Sequence, residues 1–131
     1  MEIQKTTIGQ SLKAGLISGV IATPINVAWS FIAQSMGSVV PSNFLVGVVM
    51  SSILPLLIGS IVYFLLVKYT AKGHMIFLVV SGIFTLVSLF APMQPVMPDG
   101  TATPEGFALL TMPMHFIAGG LAMWVIPKFA K

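Results

Sequence analysis

"FLVGVVMSSILPLLIGSIVYFLLV", residues 44–67, decides the fold class: it is an uninterrupted apolar run without one charged side chain. Crossing a hydrocarbon core takes roughly 20 helical residues. Backbone polar groups in lipid have no water to bond to, so a spanning segment of this kind satisfies them internally as a helix. Three further stretches have the same character, at about Ala14–Met36, His74–Pro92 and Gly106–Ile126. The whole chain agrees with them: of its 131 residues 56% are hydrophobic and 7% charged, far too little charge to cover a soluble domain. The expectation is an all-α, polytopic membrane protein, a four-transmembrane-helix bundle formed as a single domain by residues 1–131. The first apolar stretch runs too far for the core of a removable signal peptide and reads as a retained membrane helix.

The connections set the orientation. "GSVVPSN" (37–43) is uncharged, "KYTAKG" (68–73) carries Lys68 and Lys72, and "MQPVMPDGTATPEG" (93–106) carries only Asp99 and Glu105. Lys5, Lys13, Lys68, Lys72, Lys128 and Lys131 therefore fall on one side of the membrane, which the positive-inside rule makes cytoplasmic for both termini. This bias argues against dual-topology insertion. It also explains the net charge of +3 without a nucleic-acid partner, since the lysines cap apolar segments and form no run. Tyr69 and Trp124 sit beside them as interfacial anchors. Pro92, Pro95, Pro98 and Pro104, with an Asp99-Gly100 turn, predict an extended outer loop ordered by lying on the bundle.

Apolar side chains gain little from touching one another in lipid, so membrane helices associate through small residues and polar bonds. Each helix carries such a stripe at spacings near three and four. They are Ser11, Gly15, Gly19, Ala22, Asn26, Ser30 and Ala33 in the first; Gly47, Ser51, Pro55 and Gly59 in the second; His74, Ser81, Thr85 and Ser88 in the third; and Ala108, Thr111, His115, Ala118 and Ala122, beside Gly119 and Gly120, in the fourth. These faces read as the bundle interior, or one of them as a subunit interface.

Pro24, Asn26, Pro55, Thr85, Pro113 and His115 lie near the centres of their segments and form one layer at mid-depth. Each proline frees a carbonyl one turn earlier, at Val20, Ser51 and Leu109. Donors for these are the His115 imidazole, the Asn26 amide and the hydroxyls of Ser51, Ser52 and Thr85. His115 has two readings. It can be glue, bonded to Asn26 or to a freed carbonyl and worth on the order of 1 kcal/mol of helix association. Or it can mark a site, because ionisable groups inside a membrane are costly. No Asp, Glu, Lys or Arg lies mid-helix to build a proton relay with it. Trp29, deep in the membrane near Asn26, favours a pocket or simply fills the core.

Met112, Met114 and His115, with Met93 and Met97, offer thioether and imidazole groups of the kind Cu(I) accepts, at loose spacing. No Ser-His-acid set, phosphate loop, paired carboxylates or HExxH occurs, and the chain has no cysteine. An enzyme is not expected, nor a cofactor or resident metal.

In this layout, and in "ATPINVAWSFIAQSMG" (22–37), "FLVVSGIFTLVSLFAP" (77–92) and "MHFIAGGLAMWVIPKF" (114–129), the chain resembles a family of small bacterial four-helix membrane proteins of unknown function. The resemblance implies a bacterial inner-membrane location and no particular activity, with Asn26 and His115 as the positions carried over. The functional expectation is a non-enzymatic membrane protein that uses Asn26, Trp29, Ser30, Thr85 and His115 to bind a lipid, another lipophilic small molecule or a membrane partner. The alternative is a small homo-oligomeric channel or transporter lined by Asn26, Ser30, Thr85 and His115. A pocket predicts a cavity closed to water; a pore predicts a continuous polar lining.

Overall fold

Thr7 opens the first helix with a reciprocal cap: its Oγ1 accepts from the Gln10 N–H at 3.2 Å, and its own N–H donates to Gln10 Oε1 at 2.8 Å. The chain, described over residues 5–131 by a computed structural model, then forms α1 (Ile8–Ser35), α2 (Phe44–Tyr69), α3 (Gly73–Ser88) and α4 (Phe107–Phe129), with a short 3₁₀ turn at Ala91–Met93. It is an all-helical four-helix bundle, and its four helical segments are long and apolar enough to cross a membrane. The N-terminal side of α1, the α2–α3 connection and the end of α4 share one end of the bundle, where Ala14, Tyr63, Phe77, Ile126 and Ala130 pack into one cluster.

Burial follows membrane logic rather than that of a soluble protein. Ser11, Ser18, Asn26, Ser52 and Ser60 are buried, while Val20, Phe31, Ile58, Phe84, Leu86 and Val87 face outward. Packing runs around the bundle, α1 against α2 and α4, and α3 against the same two; α2 and α4 also approach each other, whereas α1 and α3 do not meet among the described residues.

The α1–α2 seam is the tightest. All seven small-stripe residues of α1 are buried, together with Ala14 and Ser18. A Cβ on Gly15 would stand 2.6 Å from Ser60 Oγ and 2.7 Å from the Leu56 carbonyl oxygen, and one on Gly19 would stand 2.9 Å from Ile53 Cα. Only glycine allows the two backbones this close. At the other end of the seam the Asn26 Nδ2 amide donates to Ser52 Oγ at 2.9 Å.

On α2 the packed face differs from the expected one. Val48, Ser52, Leu56, Ser60 and Tyr63 are buried, one position round the helix from Gly47, Ser51, Pro55 and Gly59. Two adjacent rows of α2 contain small residues, and α1 packs on the row that also supplies bulk at Leu56 and Tyr63. On α3, Gly73, Phe77 and Thr85 are buried, while His74 is exposed and lies edge-on to Tyr63 with centroids 6.3 Å apart. Tyr63 also meets Phe77 edge-to-face at 5.0 Å, which closes the bundle at this end.

Lys68 Nζ lies 5.2 Å from the Tyr69 ring centroid and Lys128 Nζ 5.1 Å from that of Trp124, so both expected anchors carry a cation on the ring face. At the opposite end Ser38 Oγ donates to the Gly106 carbonyl at 2.9 Å and the Val39 N–H to that of Glu105 at 3.0 Å, tying the α1–α2 connection to the start of α4. Gly106 has φ +72°, and a Cβ there would stand 2.8 Å from Ser38 Cα, so glycine is required twice over.

Helix α3 ends at Ser88, short of the expected Pro92, and the 3₁₀ turn buries that proline. The 93–106 loop is more than an extended strap. Met97 N–H donates to the Thr101 carbonyl at 2.8 Å, Gly100 turns back with φ +86°, and an isolated antiparallel bridge joins Val96 to Ala102. Asp99 accepts from the Thr101 N–H at 3.0 Å and its hydroxyl at 2.6 Å, which holds the carboxyl below the usual aspartate range.

Candidate functional site

The small residues of α2 that do not pack on α1 face a void. Gly47, Ser51, Pro55 and Gly59 form one wall of a cavity of about 770 Å³. Ser81, Thr85 and Ser88 of α3 form the second wall, and Thr111, His115, Ala118 and Ala122 of α4 the third; Asn26 reaches in from α1. Three small-residue faces thus look at one another without closing. The volume falls within the range of about 300–1,000 Å³ common to small-molecule sites.

Two features define its shape. It begins near Phe44 and Phe107, at the end that carries the 37–43 and 93–106 connections, and stops at Val62 and Phe77, against the buried cluster of Tyr63, Phe77 and Ile126. And it opens sideways, because Leu54 and Ile58 of α2 and Val80 and Phe84 of α3 line the cavity while being exposed on the apolar outer surface, Phe84 at 70%. No Lys, Arg, Asp or Glu is among its lining residues.

Of the five residues singled out in the sequence, Asn26, Thr85 and His115 line this cavity, and Trp29 and Ser30 do not. The Trp29 indole N–H is shared between the carbonyls of Leu109 at 3.2 Å and Leu110 at 3.0 Å. The Leu109 carbonyl is the one that Pro113 frees, so the donor is an indole from the neighbouring helix rather than the imidazole or a hydroxyl. Ser30 donates to its own helix at the Val27 carbonyl, 2.6 Å away, and borders a separate hollow of about 290 Å³ near Phe31, Gln34 and Pro41.

The expected partner of His115 also differs. His115 Nδ1 is 2.9 Å from Ser88 Oγ, and Asn26 bonds to Ser52; the two do not bond to each other. Ser88, a stripe residue of α3, was visible as a member of an inward face but not as the histidine's partner, because helix rotation and vertical register decide which polar groups meet. Thr85 packs on Gly119, where any Cβ would collide with its hydroxyl, and this contact joins α3 to α4 below the histidine. Of the residues considered for Cu(I), only Met114 and His115 reach the cavity, and Met93 is exposed in the 3₁₀ turn. Among the described residues no three His, Cys, Asp or Glu side chains converge.

Compared with protein-family models, curated proteins and solved structures, the chain matches none, so the geometry alone carries the functional reading.

Proposed function

We propose that this is a non-enzymatic protein of the bacterial inner membrane, with both termini cytoplasmic, that holds one lipid or similar lipophilic small molecule in the cavity between α2, α3 and α4. The observation that carries the reading is the cavity of about 770 Å³ opening between Leu54, Ile58, Val80 and Phe84 on the outer surface of two spanning helices. A mouth at that depth faces acyl chains, so a ligand enters from the bilayer without crossing water. Orientation rests on the six lysines at one end of the helices. The buried Tyr63, Phe77 and Ile126 across the lysine-bearing end support a pocket over a channel through the bundle.

The test is native mass spectrometry of the protein extracted from membranes in mild detergent. The expected spectrum shows each chain carrying one lipophilic adduct that survives detergent removal. The bare polypeptide mass alone, or a symmetric oligomer that conducts ions and carries no adduct, would contradict the proposal.

A further inference from the structure

We infer that the ligand carries an uncharged head group that donates hydrogen bonds, of the hydroxyl type, and that Asn26 Oδ1 and His115 Nε2 receive them; the inference rests on the cavity reading above. Four of the wall's five hydroxyl hydrogens are already engaged, that of Ser81 being the exception. Ser51 donates to the Val48 carbonyl at 3.2 Å, Thr85 to Ser81 at 2.7 Å, Ser88 to Thr85 at 2.7 Å and Thr111 to Phe107 at 2.9 Å. What these side chains still offer is oxygen lone pairs.

Ser88 fixes the histidine as well. Its hydroxyl hydrogen points to the Thr85 carbonyl, so at 2.9 Å it accepts from His115 Nδ1–H. The neutral ring with hydrogen on Nδ1 carries a lone pair on Nε2, and no protein group among the described residues bonds to that atom. Asn26 completes the pattern. It lines the cavity at 3% exposure; its amide nitrogen donates to Ser52, and its Oδ1 is buried without any partner. A buried acceptor left unpaired is unfavourable, and a donor from the ligand removes the penalty. The lining has no charged side chain to neutralise an ionic head group, so a phosphate, carboxylate or ammonium would be held unpaired in hydrocarbon. A long-chain glycerol monoester fits both demands, with an apolar chain and free hydroxyls.

The experiment uses two probes with the same acyl chain and ester, 1-monooleoylglycerol and propyl oleate, which differ in the two hydroxyls. Each is titrated onto the intact, delipidated protein, wild type, Asn26→Leu and His115→Leu, and bound ligand is counted by native mass spectrometry. The ratio of the two affinities within each protein, compared between proteins, cancels their different partition into detergent. The expected result is a ratio about tenfold more in favour of monooleoylglycerol for wild type than for either variant, with propyl oleate binding nearly unchanged by the substitutions. An unchanged ratio across the three proteins would overturn the head-group assignment and leave the cavity reading standing. Failure of wild type to bind either probe would overturn both. If one variant does not fold, the other decides the ratio.

Discussion

Two sides of α2 use the same residue types to opposite effect. Toward α1, Ser52 and Ser60 lie against Asn26 and Gly15, and the backbones come so close that a methyl group at Gly15 or Gly19 has no room. Toward α3 and α4, Gly47, Ser51, Pro55 and Gly59 look into about 770 Å³ of open space, and a Cβ on Gly47 would meet nothing within 4 Å. A small residue in a membrane helix therefore permits close approach but does not enforce it. Whether it makes a seam or a void depends on what the opposite helix brings. α1 brings glycines and a flat face, whereas α3 and α4 meet each other at Thr85 and Gly119 and are held away from α2 at that level.

The comparison breaks most visibly at Gly15. Gly15→Val should destabilise the protein by roughly 2–3 kcal/mol, since its side chain meets the Leu56 carbonyl as well as Ser60. Gly47→Ala should lose nothing and gain up to about 1 kcal/mol in helix propensity. Both are read from reversible unfolding in mixed micelles, and equal effects would erase the distinction between the two sides.

A second contrast sits on adjacent residues of α4. Gly119→Ala should be destabilising by about 1–2 kcal/mol through collision with the Thr85 side chain, and Thr85→Ala in the same chain should restore much of the loss. Gly120→Ala, with open space around it, should be neutral or slightly stabilising in the same assay.

The α1–α4 contact gives a smaller effect. Trp29→Phe keeps most of the packing and removes the donor to Leu109 and Leu110, which should destabilise by about 1 kcal/mol. Pro113→Ala supplies the missing backbone donor to Leu109, so the tryptophan substitution should matter less in that background.

The smallest effect belongs to the 93–106 loop. Thr101 lowers the Asp99 carboxyl below its unfolded value of about 3.9, so the turn's added stability is present above that pH and is lost as pH falls through the lower folded value. Thr101→Val should return the Asp99 titration, followed by NMR, towards the ordinary value. It should also make the loop easier to cleave at neutral pH.

These contrasts show which features were legible. The four helices follow from the length and polarity of the apolar runs, because the bilayer fixes both, and the α1 face follows from its small residues at three- and four-residue spacing. On α2 two neighbouring rows carry small side chains, and which of them packs and which lines the cavity depends on α1, so the expected row faces the cavity while the next one packs. Asn26, Thr85 and His115 were legible as inward polar groups at mid-depth. Their partners were not, because the pairing of His115 with Ser88 and of Trp29 with the Leu109 carbonyl depends on the relative rotation and height of separate helices. The cavity itself left no local signal. It arises from three faces failing to close, a property of the assembled bundle.

The most direct measurement compares lipid retention in two glycine-to-phenylalanine variants, Gly47→Phe on the cavity wall and Gly120→Phe outside it. Both positions have open space around a new Cβ. Native mass spectrometry should find the lipophilic adduct on wild type and Gly120→Phe and lose it on Gly47→Phe, with all three proteins folded by circular dichroism. Retention of the adduct by Gly47→Phe, or its equal loss from both variants, would contradict a ligand held between α2, α3 and α4.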